Sequence, residues 1–145
     1  MIFVRDKGQM CNNILQYGHA YAWAREHGRK SMSMRFAYKY QYFHICTTRH
    51  HNFFCYLFAK FMLKSGLMKS AQFHNLSTDH SQQEQLIQSH KNIVIEGWHI
   101  RYFDLFLKYK SELLQLFAFN KTVTDAVDKI IPQEHSGAEV NIGIH

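Results

Sequence analysis

Hydrophobic and polar positions along this chain change period repeatedly, and each change marks an element. Ile2 to Val4 is a short apolar run followed by Asp6-Lys7-Gly8, the pattern of a buried strand that ends in a turn. From Asn12 to His27, Ile14, Leu15, Tyr17, Ala20, Tyr21, Trp23 and Ala24 recur at helical spacing, which predicts a helix with Asn12 as N-cap and Gly28 as its stop. Ser31 to Phe36 alternates polar and apolar residues, which predicts a strand with one buried face and completes a β-α-β unit. Ala37 to Ile45 is dense in tyrosine and phenylalanine without a clean period and is expected to be irregular or a short strand.

Thr47 or Thr48 is expected to cap a second helix that runs to Lys64 and is closed by Gly66. Its apolar stretch, Phe53 to Leu63, is about half of the ~20 residues that span a bilayer and is interrupted by Lys60, so it reads as a buried helix. Leu67 to Phe73 is expected as an edge strand, His74 to His80 as a polar loop and Ser81 to His90 as a short polar helix. The β-branched run Asn92 to Gly97 predicts a central strand. Phe103, Phe106, Leu107, Leu113, Leu114 and Phe117 predict one long amphipathic helix, and Thr122 to Ile131 a second, broken by Pro132. Val140 to His145 reads as a further strand. Strands that alternate with helices imply right-handed βαβ units: an α/β, Rossmann-like, mainly parallel sheet with helices on both faces and ligands at the carboxyl ends of its strands.

Composition narrows this picture. With 46% hydrophobic and 15% aromatic residues and a single proline in 145 residues, the chain is a folded domain with one core, not a disordered or collagen-like segment. A formal charge of +6, with eleven histidines counted neutral, gives a surface that attracts anions: nucleotide diphosphates, nucleic acid or an anionic membrane leaflet. The three cysteines, Cys11, Cys46 and Cys55, show no CxxC spacing and suggest neither a disulfide framework nor a zinc site. Charge follows three apolar residues at the N-terminus, so no signal peptide is visible and a reducing cytoplasm is expected, with association at the inner face of the membrane left open. The glycosylation sequons at Asn75 and Asn120 are then chance matches.

The candidate chemistry is concentrated after the strands. The loop Gly8 to Asn13 joins the first strand to the first helix, where backbone N–H groups and the helix dipole can face an anion, although it has one glycine where GxGxxG needs three. No Walker-type GxxxxGK[ST] loop is present, which ranks a kinase or methyltransferase last. His50 and His51, with His44 and His74, make a poor metal set because adjacent histidines on a helix diverge by ~100°. The aromatic series from Phe36 to Phe58 with Lys39, Arg49 and Lys60 reads as a core with snorkelling basic residues in preference to a nucleic-acid platform. Trp98, His99 and Arg101 follow the predicted central strand, where such a sheet presents functional side chains.

Taken together, Gly8-Gln9-Met10-Cys11-Asn12-Asn13-Ile14-Leu15-Gln16-Tyr17 resembles the GGLGNQMFQYA element that opens the inverting α-1,2-fucosyltransferases, with Gly8, Asn12, Gln16 and Tyr17 matching and Gln9, Cys11 and Asn13 departing from it. Ile95 to Phe103 is similar to the family's "GYFQ…KYF" segment, with a following helix that ends in Phe117-Ala118-Phe119. Val140 to His145 resembles the strand leading into the family's HxRRGD motif, with His145 in the place of its histidine.

This resemblance implies the N-terminal half of a two-domain GT-B-type glycosyltransferase: residues 1–139 as the N-terminal Rossmann-like domain and 140–145 as the start of the strand leading into a C-terminal donor-binding domain. It implies inverting transfer of fucose from GDP-fucose to a galactoside hydroxyl, without a cofactor or metal, the leaving diphosphate being neutralised by a motif arginine expected after His145. On this reading the fragment is inactive alone and its C-terminal domain is its partner. Gly8, Asn12 and His145 line the donor cleft, and Trp98, His99 and Arg101 face the acceptor. No carboxylate stands out as general base, and nucleic acid is not an expected partner. The competing reading is a stand-alone basic α/β module that binds nucleic acid or another polyanion.

Overall fold

The structure is a computed structural model that describes residues 1–75 and 79–130. Four short parallel strands, β1 (Ile2–Arg5), β2 (Ser31–Ser33), β3 (Ser70–Gln72) and β4 (Ile93–Glu96), form one sheet in the order β2-β1-β4-β3. β1 and β4 occupy the centre, in register from Ile2 against Ile93 to Arg5 against Glu96. The β-branched run is therefore a central strand and the segment after Gly66 an edge strand, both as the pattern implies. The expected strand 140–145, and with it His145, lies outside the described residues.

Side chains that alternate along the strands divide the core in two. Ile2, Val4, Ile93 and Ile95 point to one face, where they meet Tyr17, Ala20, Trp23 and Ala24 of α1 (Met10–Glu26) and Ile87 of α3 (Ser81–Ser89). Phe3, Met32 and Val94 point to the other, where they meet Ala59, Tyr56, Met62 and Leu63 of α2 (Phe53–Lys64). This is the distribution that right-handed crossovers demand: β1 to β2 steps one way over α1, β2 to β3 returns across the sheet over α2, and β3 to β4 steps back over α3.

Several boundaries differ from expectation, each for a local reason. α1 starts at Met10 with Gln9 as its N-cap residue, so Asn12 is inside the helix and not its cap. The start moves upstream because Gln16 clamps the preceding loop: its Nε2 donates to the Lys7 carbonyl (2.8 Å) and its Oε1 accepts from the Lys7 amide (3.2 Å). β2 stops at Ser33, short of Phe36, because the amides that follow turn onto side chains: Arg35 N donates to Asp6 Oδ1 (3.2 Å) and Phe36 N to Ser33 Oγ (3.1 Å). The segment from Tyr42 to Phe43 pairs with residues 118–120 through an isolated antiparallel bridge, and His44–Thr47 forms one 3-10 turn.

α2 begins at Phe53, not at Thr47 or Thr48, because the Asn52 side chain accepts from Cys55 N (2.9 Å). Nor is α2 a buried helix. Ala59 alone is buried in it, while Phe54 is 82% and Phe61 66% exposed. The sheet offers α2 one layer of contacts, and among the described residues no further element covers its outer side.

The long amphipathic helix is two helices, α4 (Phe103–Lys108) and α5 (Lys110–Leu116). The break at Tyr109 lets Lys108 and Tyr109 both reach Glu26 (2.6 and 2.9 Å), while Glu112 on α5 takes Arg25 (2.9 Å) and Tyr21 (2.6 Å). α6 (Lys121–Ile130) follows with no residue buried. Among the described residues no helix is long and apolar enough to cross a membrane.

Candidate functional site

β1 and β4 are the two central strands, and the loops that leave their carboxyl ends meet. Gly8, in the loop after β1, has φ +90°, and a Cβ on it would come within 2.5 Å of Trp98 Cη2 and 3.2 Å of Asn12 Nδ2. Only glycine allows both the backbone angle and the indole's approach. Gly97, at the end of β4, has φ +131° and lies directly against the Phe73 carbonyl, so a side chain there would strike backbone. Three of the residues singled out from sequence, Gly8, Asn12 and Trp98, are thus brought together beyond the ends of the central strands, with Trp98 43% exposed.

His99 and Arg101 are placed differently. The His99 amide donates to the Phe73 carbonyl (3.1 Å), which ties the loop to β3, and the Arg101 guanidinium turns back to the Ile100 carbonyl (2.8 Å). Behind them, buried His19 of α1 accepts at Nδ1 from the Tyr102 amide (3.1 Å). Burial pushes His19 down to about 4, against the effect of that hydrogen bond, and the charge of Arg101 assists. His19 therefore locks the loop after β4 onto α1 as a neutral ring.

On the other side of the first loop, the ends of β1 and β2 and the flank of α2 enclose a cleft of about 690 Å³. Its lining includes Arg5, Lys7, Arg35, Lys60 and Lys64, with Asp6 in its wall. Of these, the sequence reading took Lys60 as a snorkelling basic residue and gave the others no site role. Asp6 and Arg35 were findable as residues just past strand ends, and Lys60 and Lys64 as an i, i+4 pair on one helix.

Asp6 is 2% exposed, accepting from Ser33 Oγ (2.6 Å) and the Arg35 amide. Burial pushes its carboxyl up to about 7, and the bonds from Ser33 and Arg35 hold it from rising further. Ser33 is fixed from behind: its amide donates to His51 Nε2 (3.0 Å). Because the Thr48 hydroxyl donates to the Ile45 carbonyl, His51 Nδ1 carries the hydrogen toward Thr48 Oγ1 (2.7 Å), and burial pushes this neutral ring down to about 4. His51 does not sit on a helix, so the angular argument against a metal there does not apply; it is a structural ring that also meets Tyr17 edge-on at 5.5 Å. Among the described residues no three metal-ligating side chains come together.

Glu96 of β4 pairs with two of the cleft's cations, Arg5 and Lys7. Burial opposes its ionisation, but hydrogen bonds from Gln72 and Ser70 and the charges of Arg5 (3.2 Å) and Lys7 (3.6 Å) hold its carboxyl below the ordinary range. Comparison with protein-family models, with curated proteins and with solved structures finds no match.

Proposed function

We propose that the chain is the N-terminal half of a GT-B-type, inverting α-1,2-fucosyltransferase, which passes fucose from GDP-fucose to a galactoside hydroxyl. One observation carries this reading. The two segments that resemble the family, Gly8 to Tyr17 and Ile95 to Phe103, are some eighty residues apart in sequence, yet Gly8, Asn12 and Trp98 meet beyond the carboxyl ends of the two central strands, the end of the sheet at which α/β folds bind ligands. Trp98 offers an exposed ring against which the apolar face of a sugar can stack, and Asn12 an amide beside it.

On this reading the residues of this half receive and orient the acceptor. Inversion needs one in-line displacement at the fucose anomeric carbon: the acceptor oxygen forms the new bond, the bond to GDP breaks, and the hydroxyl proton leaves to a base. The leaving diphosphate is met by the arginine that follows the His145 position in the family pattern, so neither metal nor cofactor is called for.

The test is to express the complete reading frame that encodes this chain, supply GDP-fucose with lactose and other galactosides, and follow fucoside formation and anomeric configuration by NMR. An α-fucoside formed from the β-linked donor supports the reading, and loss of transfer on Trp98→Ala with retained folding places Trp98 at the acceptor. No transfer and no GDP-fucose hydrolysis with any galactoside sinks it.

A further inference from the structure

The basic cleft beside α2 is not used by the contacts among Gly8, Asn12 and Trp98. Five cationic side chains line it, and among the described residues Arg35, Lys60 and Lys64 have no carboxylate within ion-pair distance. Arg5 and Lys7 share Glu96. Asp6 adds little opposing charge, since it is tied to Ser33 and the Arg35 amide and titrates near neutrality.

Lysines on a helix are most often a solvated face, but here the charges surround a concavity whose volume falls in the ~300–1,000 Å³ range of small-molecule sites. The wall between them is preorganised. Tyr38 and Tyr56 lie 4.5 Å apart at 42°, the Arg35 guanidinium donates to Tyr38 Oη (2.8 Å), and Lys60 Nζ stands 5.6 Å from the Tyr56 ring centre. Cationic groups held at the rim of two tyrosine rings suit a ligand that joins an anionic group to a ring with an apolar face, which is the chemistry of a charged sugar.

We propose that this cleft is an acceptor subsite for a saccharide bearing a fixed negative charge, a phosphate ester or a carboxylate, held by Arg35, Lys60 and Lys64 against Tyr38 and Tyr56. The proposal rests on the fucosyl-transfer reading for the word acceptor, and on the cleft alone for the charged saccharide.

Calorimetric titration of the purified chain tests the cleft, with galactose 6-phosphate, galacturonate, lactose, inorganic phosphate and a single-stranded oligoribonucleotide as probes. The expected result is binding of at least one of the charged sugars, weakening with added salt, at least tenfold tighter than lactose and inorganic phosphate. Which charged sugar binds tells phosphate from carboxylate. The double variant Lys60→Ala/Lys64→Ala, whose side chains support no packing, should weaken that binding by roughly tenfold, and Arg35→Ala should do the same independently. Lys121→Ala, in α6, should leave it unchanged.

Lactose binding as tightly as the charged sugars, inorganic phosphate binding as tightly as galactose 6-phosphate, no binding of either charged sugar, or indifference to both variants overturns the proposal. So does tighter binding of the oligoribonucleotide through the same lysines, which makes the cleft a polyanion site. The transfer assay separates the two readings. Fucose transfer to lactose but to neither charged sugar overturns the charged acceptor and leaves fucosyl transfer standing. Charged-sugar binding through Lys60 and Lys64 with no transfer to any acceptor overturns fucosyl transfer and the acceptor role together.

Discussion

α1 and α2 have opposite fates for their composition. α1, MCNNILQYGHAYAWARE, is mixed in character, yet nine of its 17 residues are buried, Asn13, Gln16 and His19 among them. α2, FFCYLFAKFMLK, is nearly all apolar, yet buries Ala59 alone. The difference is one of neighbours. α1 lies on the sheet face that α3 shares, and Phe103 and Phe106 of α4 close over it against His19 at 5.2 and 4.7 Å. α2 has the sheet beneath it and, among the described residues, nothing above. Composition states how much a helix can bury, whereas the order of the strands decides how many layers lie around it.

The largest effect expected from this contrast is at Trp23, 3% exposed and stacked on His27 at 3.9 Å. Trp23→Ala should cost about 3–5 kcal/mol in urea unfolding, while Phe54→Ala should stay within about 0.5 kcal/mol. Equal costs would break the comparison.

Next in size is the pH dependence, because the two sides titrate in opposite senses. Asp6, in the cleft beside α2, is raised when folded, so its contribution is complete below the unfolded carboxylate pKa near 4 and is lost as pH rises to about 7, a change of a few kcal/mol. His19 and His51 are lowered when folded, so their contribution is present above the unfolded value near 6.5 and is lost as pH falls toward about 4. Wild-type stability should therefore rise only modestly between pH 4 and 7, the one carboxyl offsetting more than half of what the two imidazoles contribute. Asp6→Asn should steepen that rise, and urea midpoints with the same slope as the wild type would refute the assignment.

A smaller effect is expected at Gln16. Replacing it with alanine should cost about 1–3 kcal/mol and expose the Lys7 amide to hydrogen exchange, since the clamp on the first loop is lost while the helix around it persists. Unchanged exchange at Lys7 would show that the loop is held by other contacts. The smallest stability change belongs to Phe54→Glu with Phe61→Glu, about 0.5 kcal/mol or less, but sedimentation should show less self-association, because these rings form an exposed apolar face.

Much of the fold was readable from period alone. The alternating sheet elements, the helix stops near Gly28 and Gly66 and the central place of Ile93 to Glu96 all follow from local pattern. What was not readable depended on partners far along the chain. The break at Tyr109 answers to Glu26, and the early end of β2 answers to Asp6. The exposure of α2 answers to how few layers the described residues place around it, which no window of twelve residues records. Gly8, Asn12 and Trp98 were singled out by their position just past predicted strands, and the fold brings them together. The cationic cleft was not legible, because its residues come from two strand ends and a helix flank that only the folded chain juxtaposes.

The pairing of β1 with β4 also sets a timetable. Ile2 bonds in register with Ile93, and the N-terminal ammonium reaches the Lys91 carbonyl, so β1, once synthesised, waits for residues some ninety positions later. At ~5–20 residues per second, β1, α1 and β2 exist for several seconds as a β-α-β unit with an unfilled inner edge. That edge, with Ile2 and Val4 beside it, is where a nascent-chain chaperone has most to protect, and pulse-labelling of stalled chains should find these amides open until β4 emerges.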